Sequence, residues 1–200
     1  MRGSYNIFKA LDNGDLEAVK HFIENGTDVN ARDNEGFTPL HIAASKNSNL
    51  EIVKCLIDHG ADINAKDEYD YTPLDCAVYT GNLEIVKYLV EKGSDVNLTT
   101  EHGRTPLHTA CKNNRFEIVK YLIEKGADIN AKDERYYTPL YYAINTDYDG
   151  SDSNSRYPFV KYLVENGADI NAKYKNGETA IDSARLYRNG IAKYLTEVST

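Results

Sequence analysis

Apolar residues recur along the chain in short amphipathic groups, and long hydrophobic runs are absent from the sequence. In residues 50–56 and 83–89, a Leu-Glu-Ile-Val string is followed by a leucine four positions after the isoleucine, the apolar spacing of an amphipathic helix. A Thr-Pro pair such as Thr38-Pro39 precedes each of these groups. Threonine caps free backbone N–H groups, and proline at the first helical position loses no hydrogen bond. The pattern therefore predicts pairs of short helices.

These helix pairs recur at a nearly constant interval. Thr-Pro-Leu begins at four threonines spaced by 34, 33 and 33 residues, and a degenerate Thr-Ala-Ile copy follows 41 residues later, at Thr38, Thr72, Thr105, Thr138 and Thr179. A second motif, Gly-x-Asp-(Val/Ile)-Asn, keeps the same step from Gly26, Gly60, Gly93, Gly126 and Gly167. A glycine at this position ends the second helix in the left-handed region. Two motifs with one period indicate a repeat protein.

The segment between one second helix and the next Thr-Pro is predicted to form a hairpin-like loop, because it combines turn formers with extended residues. Its turn position holds Gly36, Gly103 and Gly177, where positive φ is favourable, but Asp70 and Tyr136 in the other copies. Asp tolerates that conformation. Tyr136 is predicted to be strained by about 1–2 kcal/mol or to adopt another turn.

Residues 33–66 read Asp-x-x-Gly-x-Thr-Pro-Leu-His-x-Ala-Ala, then a Val-x-x-Leu helix and Gly-Ala-Asp-Ile-Asn-Ala, and this string resembles the ankyrin repeat. The resemblance implies an all-α solenoid of six helix-turn-helix units joined by hairpin-like loops. It implies a single domain over residues 1–200, with a capping unit at 4–32, repeats at 33–66, 67–99, 100–132 and 133–173, and a C-terminal capping unit at 174–200. An insertion at about 147–158 is predicted to be a mobile loop. The motif histidines His41 and His108 are expected to have structural roles.

Composition narrows the classes of partner. The chain has 31 acidic and 23 basic side chains, a net charge of −8, which disfavours binding to nucleic acid and to anionic membrane surfaces. No apolar run approaches the ~20 residues of a membrane-spanning helix. We expect a cytoplasmic protein, with delivery into a host cell left open for a bacterial or viral source. The three cysteines lack metal-ligand spacing and are predicted to be buried or half-buried free thiols.

Catalytic and metal motifs are absent from the sequence. It has no P-loop, no Gly-x-Ser-x-Gly and no His-Glu-x-x-His, and its histidines fall in unrelated registers of the repeat. The acidic run at 147–152 lacks the glycine and glutamate positions of an EF-hand loop. We therefore predict no enzymatic activity, no cofactor and no metal. Two alternatives remain open: an enzyme whose site is not visible in the sequence, and a structural or self-associating scaffold without a ligand.

The positions that vary between repeats carry the functional prediction. The hairpins and exposed ends of the first helices are rich in aromatic and basic side chains, namely Phe37, Tyr69, Tyr71, Tyr79, His102, Arg104, Lys112, Arg135 and Tyr137, with Tyr142 as a further candidate. Tyr and Arg are favoured at interfaces. In the ankyrin family these positions line a concave groove, so the resemblance implies a monomeric module that binds a protein partner of unknown identity.

The second helices carry one lysine each in the same register. An acidic residue follows four positions after every one of these lysines: Lys20, Lys54, Lys87, Lys120, Lys161 and Lys193. Pairs at this spacing add about 0.2–0.5 kcal/mol each to helix stability. We interpret this face as a solvent-exposed back surface and predict that it is not a docking stripe.

Overall fold

A computed structural model describes residues 5–46, 49–145, 156–187 and 189–199. Within these ranges every regular element is a helix, and none is a strand. The helices are Ile7–Asp12 (α1), Leu16–Glu24 (α2), Pro39–Ser45 (α3), Leu50–Asp58 (α4), Pro73–Thr80 (α5), Leu83–Glu91 (α6), Pro106–Lys112 (α7), Phe116–Glu124 (α8), Pro139–Asn145 (α9), Tyr157–Glu165 (α10), Ala180–Tyr187 (α11) and Asn189–Val198 (α12). The predicted all-α class is confirmed.

The helices fall into two compact units, Met1–Glu101 and His102–Thr200. In the first unit α1 packs on α2, α3 on α4 and α5 on α6, and α3 also contacts α1 and α5. In the second unit α7 packs on α8, α9 on α10 and α11 on α12, and α9 also contacts α7 and α11. Each unit therefore consists of three helix pairs placed side by side. The single domain and its repeat boundaries stay a prediction.

Packing within each unit depends on leucines from both helices of a pair and on small residues between first helices. In the first unit Leu40, Leu56, Leu74 and Leu89 are fully buried, and Ala43 of α3 has no exposed surface. The second unit buries five leucines in the same way, at Leu107, Leu122, Leu140, Leu163 and Leu195. Cys111 is buried, whereas Cys55 and Cys76 are half-buried, and all three thiols are free, as predicted.

The first helices begin where the Thr-Pro motif predicts, and the motif histidines hold these starts in place. The backbone N–H of Thr38 donates to Nδ1 of His41 at 3.1 Å, and His41 Nε2 lies 3.0 Å from the carbonyl oxygen of Tyr71 in the next hairpin. Nδ1 accepts this hydrogen bond, so Nε2 carries the imidazole proton and donates to that carbonyl. His108 repeats the arrangement with Tyr137. Burial lowers the pKa of both histidines, which keeps them neutral. Their predicted structural role is confirmed.

Within each unit, loop asparagines connect one helix pair to the next. Asn30 donates through Nδ2 to the carbonyl of Gly60 at 3.0 Å and accepts from the backbone N–H of Asp62 at 2.8 Å. Asn64 makes the same two bonds to the following copy. Asn130 makes them 37 and 39 residues further along the chain, across the insertion. The side-chain amide thus supplies one donor and one acceptor at each of these junctions.

The predicted loop at about 147–158 lies mostly outside the described residues, as does the acidic run at 147–152. Its last part is not a loop, because Tyr157 and Pro158 belong to α10. Arg156 is buried, and its Nη1 donates to the carbonyl oxygen of Ala143 at 3.1 Å. The prediction of a mobile loop is therefore wrong for residues 156–158, since a buried guanidinium fixes the start of the helix.

Ion pairs on the second helices differ in part from the predicted spacing. Three lysines pair with the acid three residues before them and not with the one four residues after: Lys20 with Glu17, Lys54 with Glu51 and Lys120 with Glu117, at 2.7–3.0 Å. Lys161 and Lys193 follow the predicted spacing, at 3.6 and 3.9 Å. Residues three and four positions apart are both neighbours on a helix surface, so either acid lies within reach.

The hairpin turns adopt the expected backbone. Asp70 and Tyr136 have φ values of 62° and 59°, in the left-handed region that glycine occupies in the other copies. Tyr136 thus keeps the hairpin geometry and carries the predicted strain.

We expect Tyr136→Gly to raise the free energy of unfolding by up to about 1 kcal/mol, because relieved strain of about 1–2 kcal/mol exceeds the extra entropy that glycine loses on folding. The midpoint of urea denaturation measures this change. Gly177→Ala is the matched reverse variant, since Gly177 has φ 85° and open space around a new Cβ. Its free energy of unfolding should fall by about 1 kcal/mol. A Tyr136→Gly protein less stable than the parent would contradict the strain argument.

Candidate protein-binding surfaces

Four of the nine predicted binding residues meet at one cavity in the first unit. Phe37, Tyr69, Tyr71 and Tyr79 line a volume of about 280 Å³, which Ser45, Asp67, Asp75 and Cys76 complete. The hairpins place three of these rings. The backbone N–H groups of Asp33 and Asp67 donate to the carbonyls of Phe37 and Tyr71, each at 3.0 Å, and Tyr69 lies at the tip of the second hairpin. The last turn of α5 supplies Tyr79.

The aromatic rings of this cavity differ in how far they reach into solvent. Tyr69 and Tyr79 are 52% and 64% exposed, whereas Phe37 and Tyr71 are half-buried. The Phe37 ring packs edge-on against His41, with 5.7 Å between ring centroids. The cavity therefore combines half-buried rings with two rings that leave most of their surface in solvent. We name this group, Phe37, Tyr69, Tyr71 and Tyr79, the aromatic cavity.

Two buried carboxylates also line the aromatic cavity. Asp67 accepts through Oδ1 from the backbone N–H groups of Tyr69 and Tyr71, at 2.8 and 2.9 Å. Asp75 accepts through Oδ2 from the backbone N–H and the hydroxyl of Thr72, at 2.9 and 2.8 Å. Its other oxygen, Oδ1, is buried and has no hydrogen-bond partner. Burial raises the pKa of Asp75 to about 6, against the opposing effect of the Thr72 bonds.

Asp75 was not among the predicted site residues. The sequence identifies it only as the residue that replaces the motif histidine in its copy. Aspartate fills the capping role of that histidine through Thr72, which explains why the helix start survives the replacement. A carboxylate at a position that the repeat normally buries was the one available signal that this copy is unusual.

Three further predicted residues line a smaller cavity in the second unit. His102, Arg104 and Arg135 surround about 180 Å³ together with Asp133 and Glu134. His102 Nδ1 lies 3.7 Å from Glu134, and Arg104 Nε lies 3.8 Å from Asp133 Oδ2. Acidic side chains thus lie beside both His102 and Arg104 in this polar cavity.

Tyr142 is a structural residue of the second unit. It is 8% exposed, and its hydroxyl donates to Asp133 Oδ2 at 2.7 Å while accepting from Arg104 Nε at 3.0 Å. Burial and the bond to Asp133 raise the pKa of Tyr142 to about 12, against the opposing effect of Arg104. The inclusion of Tyr142 among the candidate binding residues is therefore wrong, because its polar end and its ring are both used inside the unit.

Tyr137 lies in an aromatic stack outside the polar cavity. Its ring lies parallel to that of Tyr141, with 3.6 Å between centroids, and edge-on to Tyr174 at 5.4 Å. Tyr141 occupies the motif histidine position, and Tyr174 is buried. Tyr137 is half-buried, so part of its predicted binding surface is covered within the unit. Lys112 is exposed at the end of α7 and lines neither cavity.

Over residues 5–46, 49–145, 156–187 and 189–199, no three His, Cys, Asp or Glu side chains are placed to hold a metal ion. Across the same part of the chain, no helix has the length and apolar character needed to cross a bilayer.

Comparison with known proteins agrees with the repeat motif. The sequence model for ankyrin repeats (three copies) matches residues 7–100 and 93–174. Myotrophin from Xenopus laevis is 50% identical to this chain over 42 residues, which are 21% of this chain and 36% of that protein. The chain thus spans about a third of the length of this relative. With the family motif matched over most of its length and its helix pairs in the corresponding order, the chain belongs to the ankyrin repeat family.

Proposed function

We propose that this chain is a non-catalytic module that binds a protein partner through the aromatic cavity, with the polar cavity of the second unit as a further contact. Ankyrin repeats are generally protein-interaction modules. The single observation that carries the proposal is the exposure of Tyr69 and Tyr79, at 52% and 64%, beside two anchored rings.

Two physical effects favour a partner that covers these tyrosine rings: burial of apolar surface and a small loss of conformational entropy. A large ring exposed to water gains free energy when a partner covers it, at roughly 25 cal/mol per Å² of apolar surface. Tyrosine has few rotatable bonds, so it loses little conformational entropy in an interface. Among the predicted residues, Arg104 and Tyr137 also make contacts within their own unit, so the exposed Arg135 is the better probe of the polar cavity.

The net charge of the chain bears on the class of partner and on the location of the module. A net charge of −8 opposes association with nucleic acid and anionic membranes, which favours a protein partner. We propose that the chain acts as a monomer in the cytoplasm. Light scattering after size-exclusion chromatography tests the monomer, and a stable oligomer would favour the self-associating scaffold.

We expect Tyr69→Ala combined with Tyr79→Ala to reduce capture of the partner about tenfold or more, because both exposed rings of the aromatic cavity are removed. The measurement is quantitative pull-down from a lysate of the source organism, with the immobilised full chain as bait. Lys87→Ala combined with Lys161→Ala is the control, since these side chains lie on second helices. A prey lost only from the control variant would place the binding surface on the back face and overturn the proposal.

A further inference from the structure

We propose that the aromatic cavity of the first unit binds a trimethylated lysine side chain presented by the protein partner. The inference rests on the proposed function, because it names the chemistry that one part of the partner would place in the cavity. Its first support is the composition of the walls. The faces of Phe37, Tyr69, Tyr71 and Tyr79 carry negative electrostatic potential, which attracts a cation that approaches within about 6 Å of a ring centroid.

The second support is the charge beneath the rings. Asp67 and Asp75 both contribute to the lining, and none of the residues that line the cavity is basic. Asp75 Oδ1 has no hydrogen-bond partner although it is buried, so part of the charge on this carboxylate is not compensated by a hydrogen bond. A carboxylate whose charge is only partly compensated favours a cation over a neutral group in the cavity that it lines.

The neighbouring basic side chains are held by other groups. Arg32 Nη1 donates to the carbonyls of Gly36 and Lys66, at 3.0 and 2.6 Å. Lys66 Nζ donates to the carbonyl of Thr99 at 3.1 Å and lies 3.5 Å from Asp70. Lys46, which follows α3, pairs with Asp12 at 2.6 Å. Acids therefore accompany these two lysines, and backbone carbonyls hold the Arg32 guanidinium.

Burial of the two carboxylates decides which cation fits. Asp67 and Asp75 are 6% and 1% exposed, so an entering group senses their charge but finds little carboxylate surface to hydrogen-bond. An unmodified lysine ammonium has three N–H donors and would lose its hydration without gaining these acceptors. A trimethylammonium group has no N–H donor, and its methyl groups suit aromatic walls. The volume of about 280 Å³ is close to the ~300 Å³ at which ligand pockets begin and admits this compact headgroup.

The experiment uses three capped pentapeptides, Gly-Gly-X-Gly-Gly, titrated into the full chain by NMR spectroscopy. X is trimethyllysine, lysine, or the neutral analogue in which a carbon atom replaces the quaternary nitrogen. We expect trimethyllysine to bind about tenfold more tightly than either alternative, with amide shifts centred on Tyr69 and Tyr79. Equal affinity for the neutral analogue would show a general apolar cavity and overturn the proposal. Absence of binding by the trimethyllysine peptide at millimolar concentration would overturn it too.

Variants of Tyr79 test whether trimethyllysine binds in the aromatic cavity. Tyr79→Leu keeps an apolar side chain but removes the aromatic face, and we expect it to weaken trimethyllysine binding about tenfold. Tyr79→Phe should retain affinity within about twofold, because it keeps the ring. Tyr5→Leu is the control, since Tyr5 is 49% exposed in the same unit but does not line the cavity. Unchanged affinity in Tyr79→Leu would overturn the proposal.

This inference and the proposed function fail separately. If the peptide does not bind, but the Tyr69 and Tyr79 alanine variant still loses its protein partner, the interaction surface stands and only the trimethyllysine assignment falls. If that variant also keeps its partner, the proposed function falls with it.

Discussion

Replacing Leu89 with alanine is expected to lower the free energy of unfolding by about 2–5 kcal/mol. Leu89 lies on α6 with no exposed surface, beside Ile85 and Val86, which are equally buried. The substitution removes apolar contacts and leaves a cavity that α6, packed on α5 and α4, closes only in part. The loss is a large share of the ~5–15 kcal/mol that separates folded and unfolded states of typical proteins.

Urea denaturation followed by far-UV circular dichroism measures this effect. Leu186→Ala is the matched control, because Leu186 is also a helical leucine but is 63% exposed, on α11. Its free energy of unfolding should change by no more than about 0.5 kcal/mol. A loss below about 1 kcal/mol for Leu89→Ala would contradict the close packing of α5 and α6.

Replacing Asp75 with asparagine is expected to stabilise the protein at neutral pH by roughly 1–3 kcal/mol. Burial raises the pKa of Asp75 from 3.8 to about 6, so between these pH values the folded state binds more protons than the unfolded state. Stability contributed by this group therefore falls as pH rises from about 4 to 6, and the full penalty applies above pH 6. Asparagine removes the charge and keeps an oxygen that accepts from Thr72.

The difference in unfolding free energy between parent and Asp75→Asn, measured from pH 4 to 8, tests this prediction. The gain should be small near pH 4 and reach its maximum above pH 6. Asp182→Asn is the control at the same repeat position. Asp182 accepts from the backbone N–H and hydroxyl of Thr179, and these bonds lower its pKa, so its charge stabilises the fold and is lost as pH falls. Similar gains from both substitutions would refute burial as the cause.

Helix starts and ends could be predicted from the sequence because local interactions decide them. Thr38, Pro39 and His41 form a helix start within four consecutive residues, and a glycine such as Gly60, at φ 88°, ends a helix without contacts from distant residues. The exposure of Tyr69 and Tyr79 was also predictable, because both lie at positions where the repeat motif requires no buried residue.

The roles of adjacent tyrosines could not be predicted in the same way. Tyr141 and Tyr142 are chemically identical neighbours, yet one stacks on Tyr137 and the other bonds to Asp133 and Arg104. Arg104 lies 38 residues away from Tyr142 along the chain, so the choice depends on side chains brought together only by folding. The partnerless oxygen of Asp75 is likewise a product of packing, and no sequence pattern identifies it.

The asparagine junctions have a consequence for how such chains change in length. Asn30 and Asn64 each bind the glycine carbonyl and the aspartate N–H of the copy that follows, and every copy also carries the glycine and aspartate that receive the previous junction. When recombination duplicates or deletes one period, the two copies that become neighbours therefore still carry the asparagine on one side and the glycine and aspartate that it binds on the other. Asn130 shows that both hydrogen bonds persist when extra residues enter a copy. The number of copies can therefore change in evolution while the hydrogen bonds between successive copies stay the same.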